Sequence, residues 1–390
     1  KSVIKNLSHG QDVKSTIKIL QQLGSKLNEK EDHIIIEGCG FKGFNKSVDD
    51  LDCGNSGTSA RLIAGLLSAQ NFNSTLIGDE SLSKRPMQRI IEPLSKMGTK
   101  FSLTENSTLP LTIIPNSEII PINYEMPVAS AQVKSALLIA GLHSESETNI
   151  IESVQTRNHT EKILGLPVKF ENGKIISTAS KKYYPDPSEY FIPGDISTSA
   201  FHIVLTLLSS NSELMIRNVS LNPTRTGFID VLKQMGANIY FEDIRSSSNE
   251  EYGNVIVKSS LLKNRSIDSQ IIPNIIDEIP ILTMAGIFAE GDFFVEDVSE
   301  LRVKESDRIH SICSNVKQLG LEVEEMQNGF SISGSINKLN PIFESYNDHR
   351  IAMSFAVLSM LLENGGEVNG FECVNISNPK FVKQIQQITI

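Results

Sequence analysis

Leu232-Lys-Gln-Met-Gly236, running into Ala237-Asn-Ile-Tyr-Phe241, decides how the chain folds. Leu232 and Met235, three residues apart, share one face of a helix. Gly236 stands where a helix stops in the left-handed region, and the β-branched and aromatic residues after it suit an extended strand. The same tail recurs at Leu20 to Gly24, at Leu94 to Gly98 and, with valine leading, at Val316 to Gly320. A weaker relative ends at Leu164-Gly165, and each tail is followed by a strand-like run.

A second series keeps phase with the first. Strongly apolar helices are expected to begin near Thr58, Ser130, Ser197, Asp277 and Asp348, so that successive starts lie 72, 67, 80 and 71 residues apart. Each repeat reads as strand, buried helix, strand, amphipathic helix, strand, which is an α/β unit. Five such units imply a sixth, whose apolar helix is expected just before Lys1. Units this long pack as domains and not as a solenoid rod. Three per domain is the natural division, with the crossing at the Asn222-Pro223 turn signal, giving domains 1–221 and 222–390.

Composition narrows the class. The 390 residues are 39% apolar and 21% charged, as in a globular protein without disordered tracts. No uncharged apolar run is long enough to span a bilayer and no signal-peptide pattern opens the chain, so a cytoplasmic protein without membrane contact is expected. Cys39, Cys53, Cys313 and Cys373 stand far apart with no C-x-x-C pair, which points to reduced thiols and no metal site. A net charge of −10 gives no pull toward nucleic acid, and an anionic ligand must be held by a local cluster of cations. The chain opens at Lys1, without Met, inside what reads as the end of a strand, and residues upstream are expected.

The apolar helices matter for where they start. If their N-termini converge on a cleft between the domains, free N–H groups and positive dipole ends make an anion site there; otherwise they are simply well-capped core helices. Asp52-Cys-Gly-Asn-Ser-Gly-Thr-Ser-Ala-Arg61 is a glycine-rich loop entering one of them, where Gly54 and Gly57 let backbone N–H groups approach an anion. It is neither a P-loop nor a dinucleotide fingerprint, and implies no nucleotide. The loop Gly78–Met87 carries Lys84 and Arg85 before Pro86, as solvated surface or as a hinge that swings a guanidinium onto an anion. Leu301-Arg-Val-Lys-Glu-Ser-Asp-Arg-Ile309 is read as helical, so that Lys304, Glu305 and Arg308 fall within one turn's reach. Asp277 is either a helix cap or a base for a substrate hydroxyl, and Glu305 is the second carboxylate for proton transfer. His349 is structural; Arg350 beside it suits a carboxylate clamp.

Gly-Asn-Ser-Gly-Thr (54–58), Lys-Arg-Pro-Met (84–87), Ser-Ala-Gln-Val-Lys (130–134), Pro-Gly-Asp-Ile-Ser (193–197), the 301–308 run and Asp-His-Arg-Ile-Ala-Met (348–353) together resemble the 5-enolpyruvylshikimate-3-phosphate synthase family, in order and across the chain. Arg157-x-His159-x-Glu161 and Asn222-Pro-Thr-Arg225 resemble its glyphosate-tolerant subgroup. The resemblance implies a two-domain inside-out α/β barrel with three βαβαββ units per domain, the first incomplete, closing over its substrates. It implies transfer of the enolpyruvyl group of phosphoenolpyruvate to the 5-hydroxyl of shikimate 3-phosphate by a monomer, without metal or organic cofactor. Carried over residue by residue, Arg85, Arg308 and Arg350 grip phosphoenolpyruvate with Gly57 and Gln132 in support. Ser130, Ala131, Gln132, Lys304 and Asp277 hold shikimate 3-phosphate, with Ser197 and Thr198 near its phosphate. Asp277 matches the proton acceptor and Glu305 the group that serves the methylene carbon.

Two departures stand beside the match. The family's Lys-Ser-x-x-x-Arg segment is not found: at Lys1-Ser2 the position of the arginine is Asn6. Near the C-terminus, Ile376 occupies a position where some members carry a substrate-binding lysine. The rival readings are a binding protein that keeps the anion cleft without the chemistry, and a UDP-N-acetylglucosamine enolpyruvyl transferase, although the 78–87 loop lacks the reactive cysteine usual there.

Overall fold

The computed structural model describes residues 1–116, 118–338 and 340–389. The helices are α1 (Gln11–Gln22), α2 (Gly57–Ser68), α3 (Gln88–Lys96), α4 (Ala131–Gly141), α5 (His159–Leu164), α6 (Ile196–Leu208), α7 (Gly227–Gln234), α8 (Ile272–Ile275), α9 (Ile279–Phe288), α10 (Arg308–Val316), α11 (His349–Leu361) and α12 (Phe381–Ile388). Both sequence series appear in them. α2, α4, α6, α9 and α11 are the apolar helices, buried along most of their length. Gly24, Gly98, Gly236 and Gly320 carry φ of 89°, 100°, 104° and 79° just beyond α1, α3, α7 and the turn that ends α10, where a side chain would be strained.

The repeat also fixes sheet order. Leu51–Asp52 pairs in parallel with Ser74–Ile77, which pairs antiparallel with Leu111–Ile114, and that strand takes Lys100–Ser102 at its far edge. Asn123–Glu125, Thr148–Glu152, Lys174–Ala179 and Val168–Glu171 repeat that order and polarity. So do Glu189–Phe191, Ser2–Lys5, His33–Glu37 and Lys26–Glu29, except that the parallel edge comes from far along the chain. Later repeats keep the core of the pattern: Glu213–Ser220, Glu250–Lys258 and Asn238–Ser247 form one sheet, and Phe293–Val295, Phe330–Ser333 and Glu322–Glu325 another. α2, α4 and α11 each join a parallel pair of strands, and α6 and α9 each span a single parallel bridge, Gly194 with Val219 and Lys263 with Glu290, as a crossover between parallel strands requires.

The chain forms two compact units. Unit 1 is Lys1–Ile192 with Ser247–Glu250, and unit 2 is Pro193–Ser246 with Glu251–Ile390. Each has its own apolar core, the first built from residues between Ile19 and Ala179, the second from residues between Ile196 and Ile385. The expected boundary at 221/222 therefore shifts to 192/193. The reason is α6, whose apolar side chains join the second core, so that the Asn222-Pro223 turn lies inside unit 2. No single helix among the described residues is long and apolar enough to cross a membrane; α8, with the turn before it, and α9 reach that length only as a pair bent by 115°.

Candidate active site

In unit 1 the site residues gather where α2 and α4 begin. Ser56 caps α2, its hydroxyl accepting from Ser59 N at 3.2 Å, and Ser130 caps α4, accepting from Val133 N at 3.4 Å. The two starts are tied together by Gln132 Nε2, which donates to Thr58 Oγ1 at 2.9 Å. That bond brings Ser130, Ala131 and Gln132 to the glycine-rich loop. Asn55 then links the loop to Arg85: its Oδ1 accepts from Arg85 Nη2 at 2.7 Å, and its Nδ2 donates to Asp79 Oδ2 at 2.7 Å. A Cβ added at Gly57 would lie 3.4 Å from Arg85 Nη1, an ordinary contact, and 2.6 Å from Arg61 Nη1, so that the end of the Arg61 side chain would have to shift. Lys84 instead pairs with Glu80 at 2.7 Å on the surface, and only Arg85 of the two turns toward the loop.

Lys134, one turn into α4, is fully buried between two carboxylates, Glu152 Oε2 and Glu161 Oε1, each at 2.8 Å. Thr156 N donates to Glu152 at 3.2 Å and Ser177 Oγ to Glu161 at 3.0 Å. The lysine of the 130–134 run and Glu161 of the 157–161 run are thus one ion cluster, which braces the start of α4. The sequence quoted both runs without showing that they meet.

Unit 2 holds two groups. At the start of α6, Asp195 Oδ1 accepts from Ser197 N at 3.2 Å and from Arg225 Nη2 at 2.7 Å, and its Oδ2 accepts from Thr198 Oγ1 at 3.0 Å. Arg225 also donates to the Ser197 hydroxyl. Ser197 and Thr198 therefore stand at a helix N-terminus with a guanidinium beside them.

The second group centres on Arg308, which is 1% exposed. Its Nε donates to Asp348 Oδ2 at 2.7 Å, its Nη2 to Glu305 Oε2 at 2.5 Å and to Asp348 Oδ1 at 3.2 Å, and its Nη1 to Asp277 Oδ1 at 3.3 Å. Burial alone would make this group easier to deprotonate, but Asp348, Glu305 and Asp277 outweigh it and hold the proton more firmly than usual. Lys304 Nζ lies 3.5 Å from Asp277 Oδ1, and Arg350 Nη2 3.8 Å from Asp277 Oδ2. Asp277 thus faces three cations, and one guanidinium bridges both candidate proton-transfer carboxylates.

Two expectations change in detail. Leu301–Ile309 is not one helix: a 3₁₀ turn covers Ser299–Val303, Lys304 is extended, and Asp307 caps α10, accepting from His310 N at 3.0 Å. Lys304 and Glu305 meet Arg308 from a loop. Asp277 is not a cap either, since it precedes Glu278 at the start of α9 and no side chain closes that end. Asp348 and Glu278, neither of them named as a site residue from sequence, are buried in this cluster. Asp348 was readable as a cap before an apolar helix, and it does accept from Arg350 N at 2.9 Å. Its bond to Arg308, forty residues away, left no local signal. Among the described residues no three His, Cys, Asp or Glu side chains gather to hold a metal ion.

Residues 1–385 match the family model for EPSP synthase (3-phosphoshikimate 1-carboxyvinyltransferase). The chain is 44% identical to the 3-phosphoshikimate 1-carboxyvinyltransferase of Petrotoga mobilis, covering 99% of this chain and 90% of that protein. It is 42% identical to the enzyme of that name from Thermoanaerobacter sp. strain X514, over 99% and 91%. Among solved structures, an EPSP synthase from Acinetobacter baumannii superposes with a TM-score of 0.85 at 36% identity, covering 99% of this chain and 89% of that one. The enolpyruvyl transferase NikO from Streptomyces tendae shares the fold, with a TM-score of 0.74 at 12% identity over 99% and 88%.

Proposed function

The chain belongs to the EPSP synthase (3-phosphoshikimate 1-carboxyvinyltransferase) family, and on that premise we propose that it joins phosphoenolpyruvate to the 5-hydroxyl of shikimate 3-phosphate and releases phosphate. The observation that carries the chemistry is the bridge of Asp277 and Glu305 by Arg308. Asp277 takes the hydroxyl proton as the oxygen bonds to C2 of phosphoenolpyruvate, and Glu305 gives a proton to the methylene carbon, leaving a tetrahedral intermediate. In the second half Glu305 takes a methyl proton back, the carbon–oxygen bond to phosphate breaks, the double bond re-forms, and the departing phosphate takes the proton that Asp277 had accepted, which restores both carboxyl groups to their starting states. Two positioned carboxylates are what such a sequence needs.

Both substrates are polyanions, so guanidinium groups and helix starts offset their mutual repulsion. In this reading Arg85, Arg308 and Arg350 take phosphoenolpyruvate, with Gly57 and Gln132 in support. Ser130, Ala131, Gln132, Lys304 and Asp277 take shikimate 3-phosphate, with Ser197 and Thr198 at its phosphate. Arg308 gives four of its five N–H donors to three carboxylates, and in this reading the second donor on Nη1 meets phosphoenolpyruvate. The reading carries with it a monomer working in the cytoplasm without metal or organic cofactor.

The test is phosphate release by the full-length protein from the two substrates together. Turnover is expected, and Asp277→Asn and Glu305→Gln, each folded by circular dichroism, should each lower kcat by about 10²–10⁴-fold. Binding of shikimate 3-phosphate without phosphate release would overturn the enzyme and favour a binding protein.

A further inference from the structure

Glu278 has no part in the chemistry above. It directly follows Asp277, stands at the start of α9, and its side chain is 0% exposed. Neither carboxylate oxygen accepts a hydrogen bond from the described residues. A carboxylate removed from water persists only where a charge or a set of donors compensates it. Among the described residues the cation at ion-pair distance is Arg350, with Nη1 3.5 Å from Oε1.

Arg350 is tethered to the same two residues in other ways. Its Nη1 donates to the main-chain oxygen of Asp277 at 3.0 Å, and its Nη2 stands 3.8 Å from the Asp277 carboxylate. That carboxylate has nearer partners, Arg308 at 3.3 Å and Lys304 at 3.5 Å. Asp277 is therefore shared, whereas among the described residues Arg350 is the one cation at ion-pair distance from Glu278. The side chain of Arg350 is 14% exposed, so this attraction acts with little water between the charges, where it is strongest.

We propose that Glu278 is a positioning residue: its buried carboxylate holds the Arg350 guanidinium in the orientation that receives the carboxylate of phosphoenolpyruvate. The inference rests on the assignment of Arg350 given above. An extra anion beside an anion site weakens the local positive potential, so electrostatics alone would favour its loss. What Glu278 supplies is order: a guanidinium already fixed loses less freedom when its ligand arrives. The two effects have opposite signs, and kinetics separates them.

In steady-state assays Glu278→Gln is expected to raise KM for phosphoenolpyruvate about tenfold, while KM for shikimate 3-phosphate and kcat stay within about twofold. In an Arg350→Lys background the same change should add less than about twofold, because the group it positions has gone. If Glu278→Gln does not fold, Glu278→Asp carries the test: it keeps the charge one methylene further back and should raise the same KM by a smaller factor. An unchanged or lowered KM for phosphoenolpyruvate, or an equal rise for both substrates, overturns the inference while the proposed function stands. No turnover in the unsubstituted protein overturns the proposed function, and this inference with it.

Discussion

Arg308 is enclosed by Asp348, Glu305 and Asp277 and is 1% exposed. Asp348, itself 0% exposed, is the anion that meets it with both oxygens. Removing one member of a buried ion pair strands the other and costs roughly 3–5 kcal/mol. Asp348→Asn should lower the urea midpoint by a corresponding amount, and activity should fall with it because Arg308, which bridges Asp277 and Glu305, loses the anion that orients it. His349, next in sequence, is pushed down to about 4 by burial and then by the Arg350 charge. Unfolded, the same imidazole takes its proton near the ordinary histidine value of 6.5. Between those values the unfolded chain binds more protons, so stability is full above pH 6.5 and falls as the pH drops toward 4. At pH 5 the loss from this group is about 2 kcal/mol, so between pH 8 and pH 5 paired urea melts should show the protein losing about that much more stability than His349→Gln, which keeps His143 and His202, both also held low by burial.

At the scale of elements, α2 and α4 pack so closely that a Cβ at Gly65 would come within 2.2 Å of the Ala136 carbonyl oxygen. That approach lets Gln132 reach Thr58. Gly65→Ala should cost roughly 1–3 kcal/mol through overpacking, read as a lower melting temperature. It should also weaken the binding of both substrates, since it separates the two helix starts. Elements were the most legible level in the sequence. Helix ends and apolar faces are written in residues a few positions apart, and the glycines at 24, 98, 236 and 320 fall where they were expected. Over Leu301–Ile309 the charge spacing suggests one helix, whereas Asp307 before Arg308 is a cap signal and the helix begins only there. The links among Asp277, Glu278, Arg308 and Arg350 were not legible, since each depends on tertiary approach across tens of residues.

For the molecule as a whole, the chain passes between units at 192/193, 246/247 and 250/251. The expected cut at 221/222 would strip α6 from the second core and the strand Glu213–Ser220 from its neighbour Glu250–Lys258. A fragment of residues 193–390 should therefore melt cooperatively by circular dichroism, whereas 222–390 should not. Sequence found the number of repeats but misplaced the seam, because a turn signal marks where the chain bends and not which core it serves.

The strand Ser2–Lys5 takes its parallel neighbour from Glu189–Phe191, and Ser2 accepts a hydrogen bond from Ser188 N across a sequence separation of 186. During synthesis this edge stays open until that distant strand has emerged. At about 5–20 residues per second the wait is on the order of ten seconds or more, and in that interval the exposed edge is a pairing site for any other nascent chain. The closure that completes this sheet is thus also a clock: 186 residues separate Ser2 from the Ser188 that covers it, and that stretch must be made before the edge is safe.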